Sequence, residues 1–399
     1  MFFTSVMRRV RLKLLNKAKN IKKYKRILAV LAIVLLTAFI EIIFNFRSII
    51  GGYDWMDVTE HMKLEEEGEY EKYVIDFTTD KALYIKQIRL VGEFASDDAY
   101  VMEVQKLNGF GKSEKVSYWD NVSTWFSESY TNLNKKVKSI KITLYKPEKT
   151  ELHSVAFSNR FEINKYRVLF VVCLLALLYA MIFEKKFVQK VEWYFLCFSL
   201  VFGLLVIIYA QPTYNAWDEE VHFQNVYSIA SGKHVKWSEA TQSIIDKKTP
   251  SCNTKAEYAE LRAVMNEKGR EVLHLETKET GVVSYSFLAY IPMAIMMKIG
   301  MLLNFSFSNM YMLGKIGNLL FYVAIMFLAI RLAKKKKLFL VFIAMMPTSI
   351  YLAASYSYDA VVFACVTLGS VLWCNEMFYS QKKYQAVNMI SSIFLFSVG

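Results

Sequence analysis

The chain has 399 residues, 54% of them hydrophobic and 21% charged, with a formal net charge of +13. So much apolar content excludes a single soluble core, while the polar stretches are too long for simple loops; the composition is that of a membrane protein with a soluble insert. Four of the five cysteines (Cys173, Cys197, Cys365, Cys374) lie in apolar runs and Cys252 lies alone in a polar one, which excludes a disulfide framework and a Cys-rich zinc site.

Residues 1–26 carry ten basic residues and no acid, directly before an apolar run at 27–46. The charge bias places this N-terminus in the cytoplasm. The run is longer than a signal-peptide core and no small-residue cleavage site follows it, so it reads as a retained signal anchor. Anionic lipid head groups explain the abutting basic stretch more directly than nucleic acid, which is not an expected partner.

Residues 47–166 change character. Strands are predicted at 74–79, 83–94, 100–106, 115–126, 137–146 and 152–163; Ile140, Ile142 and Leu144 alternate with Lys141, Thr143 and Tyr145, the period of a half-buried strand. Polar turns such as Ser96-Asp97-Asp98 and Asn108-Gly109 suggest a small extracellular β-sandwich of about one hundred residues, a module that binds or spaces.

A helix pair at 167–210 follows, returning inward before Lys185, Lys186 and Lys190 and going out again, so residues 211–310 are expected to be an extracellular loop region with amphipathic and interfacial helices. Residues 282–303 are long enough to span but contain Pro292 and Lys298. If they spanned, Lys298 and Lys315 alone would face the cytoplasm while Arg331, Lys334, Lys335, Lys336, Lys337, Lys382 and Lys383 would be sent outside. The bias predicts an interfacial or re-entrant segment instead, with transmembrane helices over 311–399 at 311–330, 338–356, 360–378 and 384–399. The last apolar run stops at Gly399 without a polar flank, which reads as truncation or as a helix ending at the outer surface. The expected fold class is therefore a membrane α-helical bundle of about seven spanning helices plus one interfacial segment, with an inserted extracellular β-sandwich.

The candidate chemistry lies at Asn215-Ala216-Trp217-Asp218-Glu219-Glu220-Val221-His222-Phe223, just beyond the third apolar run. Asn215 can cap a helix starting at Ala216 whose apolar side is Val221, Val226 and Ile229. A capping box using Asp218 then explains the acids with no functional role. It does not explain His222, which lies four residues after Asp218, where the pair can hydrogen-bond or share a metal. On this topology Asp359 shares a membrane face with Asp218, although a carboxylate in a short turn is also a common cap. Glu41, Glu192 and Glu376 sit near helix ends, where interfacial anchoring is expected. The 25 tyrosines and 29 phenylalanines are expected to form an aromatic belt, with Trp217 as a candidate substrate contact. No nucleotide-binding glycine loop, nucleophile elbow or His-Glu-x-x-His helix is present.

At Trp217 to His222, and again at Met346-Pro347-Thr348-Ser349 through Ala353-Ala354-Ser355-Tyr356-Ser357-Tyr358-Asp359-Ala360, the sequence resembles a bacterial family of multi-pass membrane proteins classed as a domain of unknown function, DUF2142. The likeness is expected to run from the first helix to the end of the chain. In that family the first motif normally reads Pro-Asp-Glu-x-x-His; Trp217 replaces the proline, and Asp218, Glu219 and His222 match. The family in turn resembles the C-type (GT-C) membrane glycosyltransferases, which place a catalytic acid in the first long external loop and a second acid in the next. Asp218 and Asp359 fit those positions in order.

The resemblance implies transfer of a sugar from a polyprenyl-phosphate donor to a cell-envelope glycan at the outer face of the bacterial cell membrane. Asp218 is then the candidate base, Glu219 or His222 a positioning partner, and Asp359 the second-loop acid. Trp217, Lys233, His234, Lys236 and Arg262 are candidate substrate or phosphate contacts. A divalent cation is the candidate cofactor, with Asp218 and His222 as candidate ligands. The alternative is a non-catalytic component of envelope-polysaccharide assembly, binding or translocation. A transporter is disfavoured because the ionisable residues gather at helix ends rather than midway through several helices.

Overall fold

The computed structural model describes residues 2–67, 70–94, 99–108, 111–122, 126–146, 149–184, 190–210, 218–232, 254–274, 287–379 and 386–398. They form two compact units, Met1–Phe46 with Glu162–Lys190, and Arg47–Phe161 with Val191–Gly399.

The first unit is a helix pair. Helix α1 is a single helix over Phe2–Gly51, so the basic leader and the predicted anchor are one element without a break at 26. Helix α2 spans Lys165–Phe183 and is capped by Asn164, whose side chain accepts from the N–H groups of Tyr166 and Arg167. Ion pairs join the two helices at both ends. Arg26 Nη2 lies 2.8 Å from Glu184, and Arg167 grips Glu41 with Nε and Nη2 at 2.5 and 2.8 Å. Glu41 is thus buried in an interhelical pair rather than anchored at the interface, as a charge in an apolar helix requires.

The second unit opens with the sheet. Strands β1 (Met56–Asp57), β2 (Met62–Glu67), β3 (Tyr70–Glu93), β4 (Ala99–Leu107), β5 (Ser113–Asn121), β6 (Glu128–Lys146) and β7 (Glu151–Ser158) are all antiparallel. The alternation read in the sequence sets their register. Across β3, β6 and β4, Phe77, Ile140 and Val104 form one row, Ile75, Ile142 and Met102 the next, and Tyr73, Leu144 and Tyr100 the third. Such rows, one per two residues, stack apolar side chains on a single face.

Hydrogen bonding joins all seven strands into one sheet where two were expected. The reason lies in β3, which merges the predicted strands 74–79 and 83–94. It keeps β6 on one edge and changes partner on the other, from β2 at Tyr70–Ile75 to β7 at Gln87–Glu93. Register shifts between Thr78 and Leu83 and between Ile85 and Gln87 bend it, so the sheet curls over one core that includes Ile75, Ile88, Val104, Ile142 and Phe157. At the chain's exit from the sheet, Asn159 donates to the carbonyls of Arg47 and Gly51 and is bonded by Ser48, satisfying groups that the end of α1 leaves open.

The remaining helices are α3 (Val191–Leu205, continued by a π turn over Val206–Ala210), α4 (Glu219–Ser231), α5 (Lys255–His274), α6 (Ile291–Leu302, entered through a 3-10 turn at Phe287–Tyr290), α7 (Phe307–Leu332), α8 (Lys337–Ala344), α9 (Pro347–Ala353), α10 (Asp359–Tyr379) and α11 (Ala386–Val398). Helix α7 is the hub, packed by α3, α5, α6 and α10. Among the described residues, five helices are long and apolar enough to cross a membrane: Tyr24–Gly51, Lys165–Phe183, Val191–Ile208, Phe307–Leu332 and Asp359–Tyr379. The stretch Phe287–Leu302 is a shorter apolar helix; at about 1.5 Å per residue it falls short of a hydrocarbon core of about 30 Å.

The expected span at 338–356 is not a continuous helix. Pro347 has no N–H to continue α8 and biases Met346 to an extended conformation (ψ 138°), so the chain breaks into α8 and α9. The broken run still climbs along α7. Tyr322 donates to the Ala344 carbonyl at 2.8 Å, and Asn318 donates to those of Leu352 and Ser355 at 3.2 and 2.9 Å. Helix α10 then descends until Asn375 meets the Leu332 carbonyl at 2.9 Å. The turn between α9 and α10 therefore sits near Asn318, about 17 Å of helix from Phe307 and about 21 Å from Leu332. The expected span at 384–399 is represented by the 13-residue α11. Glu376, expected as an anchor, is buried and bonded by Asn388 of α11 at 2.6 Å.

The sheet and the helices are tied through α5. Thr254 and Glu257 form a capping box, and the Glu257 carboxylate also accepts the Tyr130 N–H of β6 at 3.0 Å. Glu260 accepts from the Ser127 N–H at 3.1 Å, and Asn266 accepts the Ser308 N–H at the start of α7 at 2.9 Å.

Candidate functional site

Helix α4 begins at Glu219, with Asp218 in the cap position; the Asp218 side chain makes no cap hydrogen bond and its backbone is left-handed (φ 60°). The capping box expected for Asp218 is thus absent. A non-glycine residue in this conformation is costly, and Asp is among the few that tolerate it. Asp218 is exposed. The buried stripe of α4 is Glu219, His222, Phe223, Val226, Tyr227 and Ala230, at helical spacing, while Val221, expected on the apolar side, is exposed. The two most chemically active residues of the helix therefore face inward.

Glu219 is fully buried. Its Oε1 lies 2.7 Å from Lys315 Nζ, itself fully buried, and accepts from the Tyr311 hydroxyl at 3.1 Å and the Tyr356 N–H at 3.4 Å. The Lys315 ammonium also lies 4.9 Å from the Tyr311 ring centroid. Two charges survive burial in this way only because each neutralises the other and the remaining lone pairs are bonded.

His222 is buried, with Nδ1 2.9 Å from the Tyr290 hydroxyl and its ring edge-on to Tyr358 at 5.2 Å. The Tyr290 oxygen also lies 3.4 Å from the Asn225 amide, which can donate to it, so the tyrosine proton is available to Nδ1 and the imidazole proton is assigned to Nε2. Burial holds the imidazole below its usual value, against the opposing pull of Asp359, Asp218 and Glu219. The ring is therefore neutral at pH 7.

A pH dependence follows. The unfolded chain takes up the His222 proton near pH 6.5 and the folded protein only at lower pH, so this residue destabilises the fold increasingly as pH drops below about 6.5, until its folded value is reached. Thermal unfolding of the detergent-purified protein is expected to show this loss between pH 7 and 5, and His222→Gln to reduce it. An identical pH profile in that variant would remove His222 as the cause.

Asp359 opens α10 and is exposed. The Ser357 hydroxyl donates to its Oδ2 at 3.0 Å and accepts from its N–H at 3.1 Å. Ser357 is held in turn by Asn318, whose amide donates to the Ser357 carbonyl at 3.0 Å. Tyr356, fully buried, donates to the Tyr311 carbonyl at 2.6 Å and packs on Gly314; a Cβ at Gly314 would fall inside the Tyr356 phenol. Gly314→Ala is expected to cost about 1–3 kcal/mol by overpacking and to shift the 356–359 turn. A thermal midpoint equal to wild type would show that Tyr356 moves aside freely.

Asp218, Glu219 and His222 at the start of α4 thus lie beside the turn that carries Asp359, in unlike environments. Arg262 bonds Asn309 at 2.6 Å and Ser308 at 3.3 Å, at the start of α7. Trp217, Lys233, His234 and Lys236 lie outside the described residues. Among the described residues, no three or more His, Cys, Asp or Glu side chains form a group that could hold a metal ion. Sequence reasoning missed Lys315, Asn318, Tyr290, Tyr311 and Tyr356. The signal available was Lys315 and Asn318 one helical turn apart inside an apolar run, where polar groups mark a site or a partner.

Residues 200–398 match the family model described as a predicted membrane protein (DUF2142). The match leaves α1, the sheet and α2 outside it, so the likeness covers the C-terminal part of the chain rather than most of it. No curated protein matches the chain.

Proposed function

Starting from a chain that belongs, through residues 200–398, to the DUF2142 family of predicted membrane proteins, we propose that it is a glycosyltransferase of the C-type kind, moving a sugar from a polyprenyl-phosphate donor onto a cell-envelope glycan at the outer face of a bacterial membrane. In this reading the N-terminus is cytoplasmic, and the sheet and residues 211–310 are outside. The observation that carries it is that the start of α4, with Asp218, Glu219 and His222, lies against the turn before α10 that carries Asp359, the Tyr356 N–H bonding Glu219 and the Tyr358 ring standing edge-on to His222.

The acceptor hydroxyl oxygen bonds to the anomeric carbon as the bond from that carbon to the donor phosphate breaks, and Asp218 takes the hydroxyl proton. Glu219 is unsuited to that task because Lys315 holds it. Asp359, fixed by Ser357, supplies the second acid beside the developing positive charge at the sugar. Neutral His222 binds Tyr290 through Nδ1 and offers its Nε2–H to a carboxylate or phosphate oxygen. The sheet, docked on α5 through Glu257 and Glu260, is suited to hold the glycan acceptor near these groups.

The alternative, a non-catalytic assembly or binding component, draws support from the engagement of Lys315 by Glu219 and of Arg262 by Ser308 and Asn309. The deciding experiment is the envelope-glycan composition of cells whose sole copy carries Asp218→Asn. Loss of a defined sugar at normal membrane abundance supports transfer. Unchanged glycans, in cells where deletion alters them, overturn it in favour of assembly.

A further inference from the structure

We propose that one face of α7, carrying Tyr311, Lys315 and Asn318, is the template that sets the separation between the two acid-bearing segments. The three residues are positioning residues; resting on the reading that Asp218 and Asp359 act together, they serve it without touching substrate. Their spacing of i, i+4 and i+7 puts them on one helical face, and all three are fully buried.

Each acid is tied to this face through its own chain of bonds. On one side, Lys315 and Tyr311 hold Glu219, the residue next to Asp218. On the other, Asn318 donates to the carbonyls of Leu352, Ser355 and Ser357, and Ser357 bonds Asp359. Two further bonds close the arrangement: Tyr356 donates its N–H to Glu219 and its hydroxyl to the Tyr311 carbonyl. The two acids lie 141 residues apart in the chain, yet each is referred to positions within two turns of the same helix. A helix is rigid over two turns, which suits it as a common reference for two segments far apart in the chain.

A role as mere glue differs from this one in what it predicts. Glue tolerates any replacement that satisfies burial, while a template fixes a distance. The test uses the full-length protein in membranes, with Cys173, Cys197, Cys252, Cys365 and Cys374 replaced by serine and a reporter pair, His222→Cys with Tyr358→Cys, placed beside the two acids. The ring contact between these positions predicts rapid bridging by a short bis-methanethiosulfonate linker.

At matched amounts of folded protein, Asn318→Leu and Lys315→Met are each expected to slow bridging about tenfold or more, since each removes one tie of a buried network. If Lys315→Met does not accumulate, the double variant Glu219→Met with Lys315→Met decides: it restores abundance, and bridging stays slow. Unslowed bridging in the folded variants, or none in the parent, overturns the proposal. The cross-link makes no use of catalysis. Normal glycans in Asp218→Asn cells therefore overturn the transfer reading and leave the template standing, whereas lost glycans with unslowed bridging do the reverse.

Discussion

Lys315→Met is expected to destabilise the protein by about 3–5 kcal/mol, because it leaves the Glu219 carboxylate buried with no cation beside it. The methionine approximates the volume of the lysine stem, so packing changes little and the effect isolates the charge. Tyr311 and the Tyr356 N–H remain to bond Glu219, but two dipoles do not replace an ammonium at 2.7 Å. The comparison that interprets the number is the double variant with Glu219→Met. Replacing a buried ion pair by apolar side chains of similar volume is often neutral or stabilising, so the double variant should recover most of the loss. Thermal unfolding of purified protein in one detergent measures both. A single variant as stable as wild type would show that water or another group reaches Glu219 and that the pair does not hold α4 to α7.

The same physics accounts for what the sequence revealed and what it concealed. Apolar periodicity identified the regions of β3, β4, β6 and β7, because half-burial writes itself along a strand residue by residue. It said nothing of the bend in β3, which depends on a change of edge partner between Tyr70–Ile75 and Gln87–Glu93. Hydropathy likewise found the run at 338–356, while the break at Pro347 was legible only by giving the proline more weight than the apolar average.

Acids near helix ends were read as interfacial anchors. Glu41 and Glu376 prove to be buried between helices, with Arg167 and Asn388 as partners that lie far along the chain or on another element. Local spacing cannot show such partners. The candidate site divides in the same way: the Asp-Glu-x-x-His spacing marked the right residues, but the distinct environments of Asp218 and Glu219, neighbours in sequence, come from a lysine 96 positions after Glu219. That lysine was visible as a charge inside an apolar run and entered the reading only as a count for topology.

Asp218→Asn is expected to lower sugar transfer by about 10²–10⁴-fold while leaving membrane abundance unchanged. Asparagine is the informative substitution at this position for a backbone reason. Asp218 sits at φ 60°, and asparagine tolerates the left-handed region about as well as aspartate, so the start of α4 is preserved while the proton acceptor is lost. The exposed carboxylate makes no cap bond whose loss would weaken the helix. Glu219→Gln should behave in the opposite way. It removes the counterion of a buried ammonium, so abundance and thermal stability fall together. The contrast between two adjacent acids separates chemistry from architecture within one experiment: the first variant keeps its abundance while glycan per molecule of membrane protein collapses, and the second loses abundance and thermal stability. If both variants lose glycan only in proportion to abundance, Asp218 is not the base, and the acids around His222 form a structural or binding centre instead.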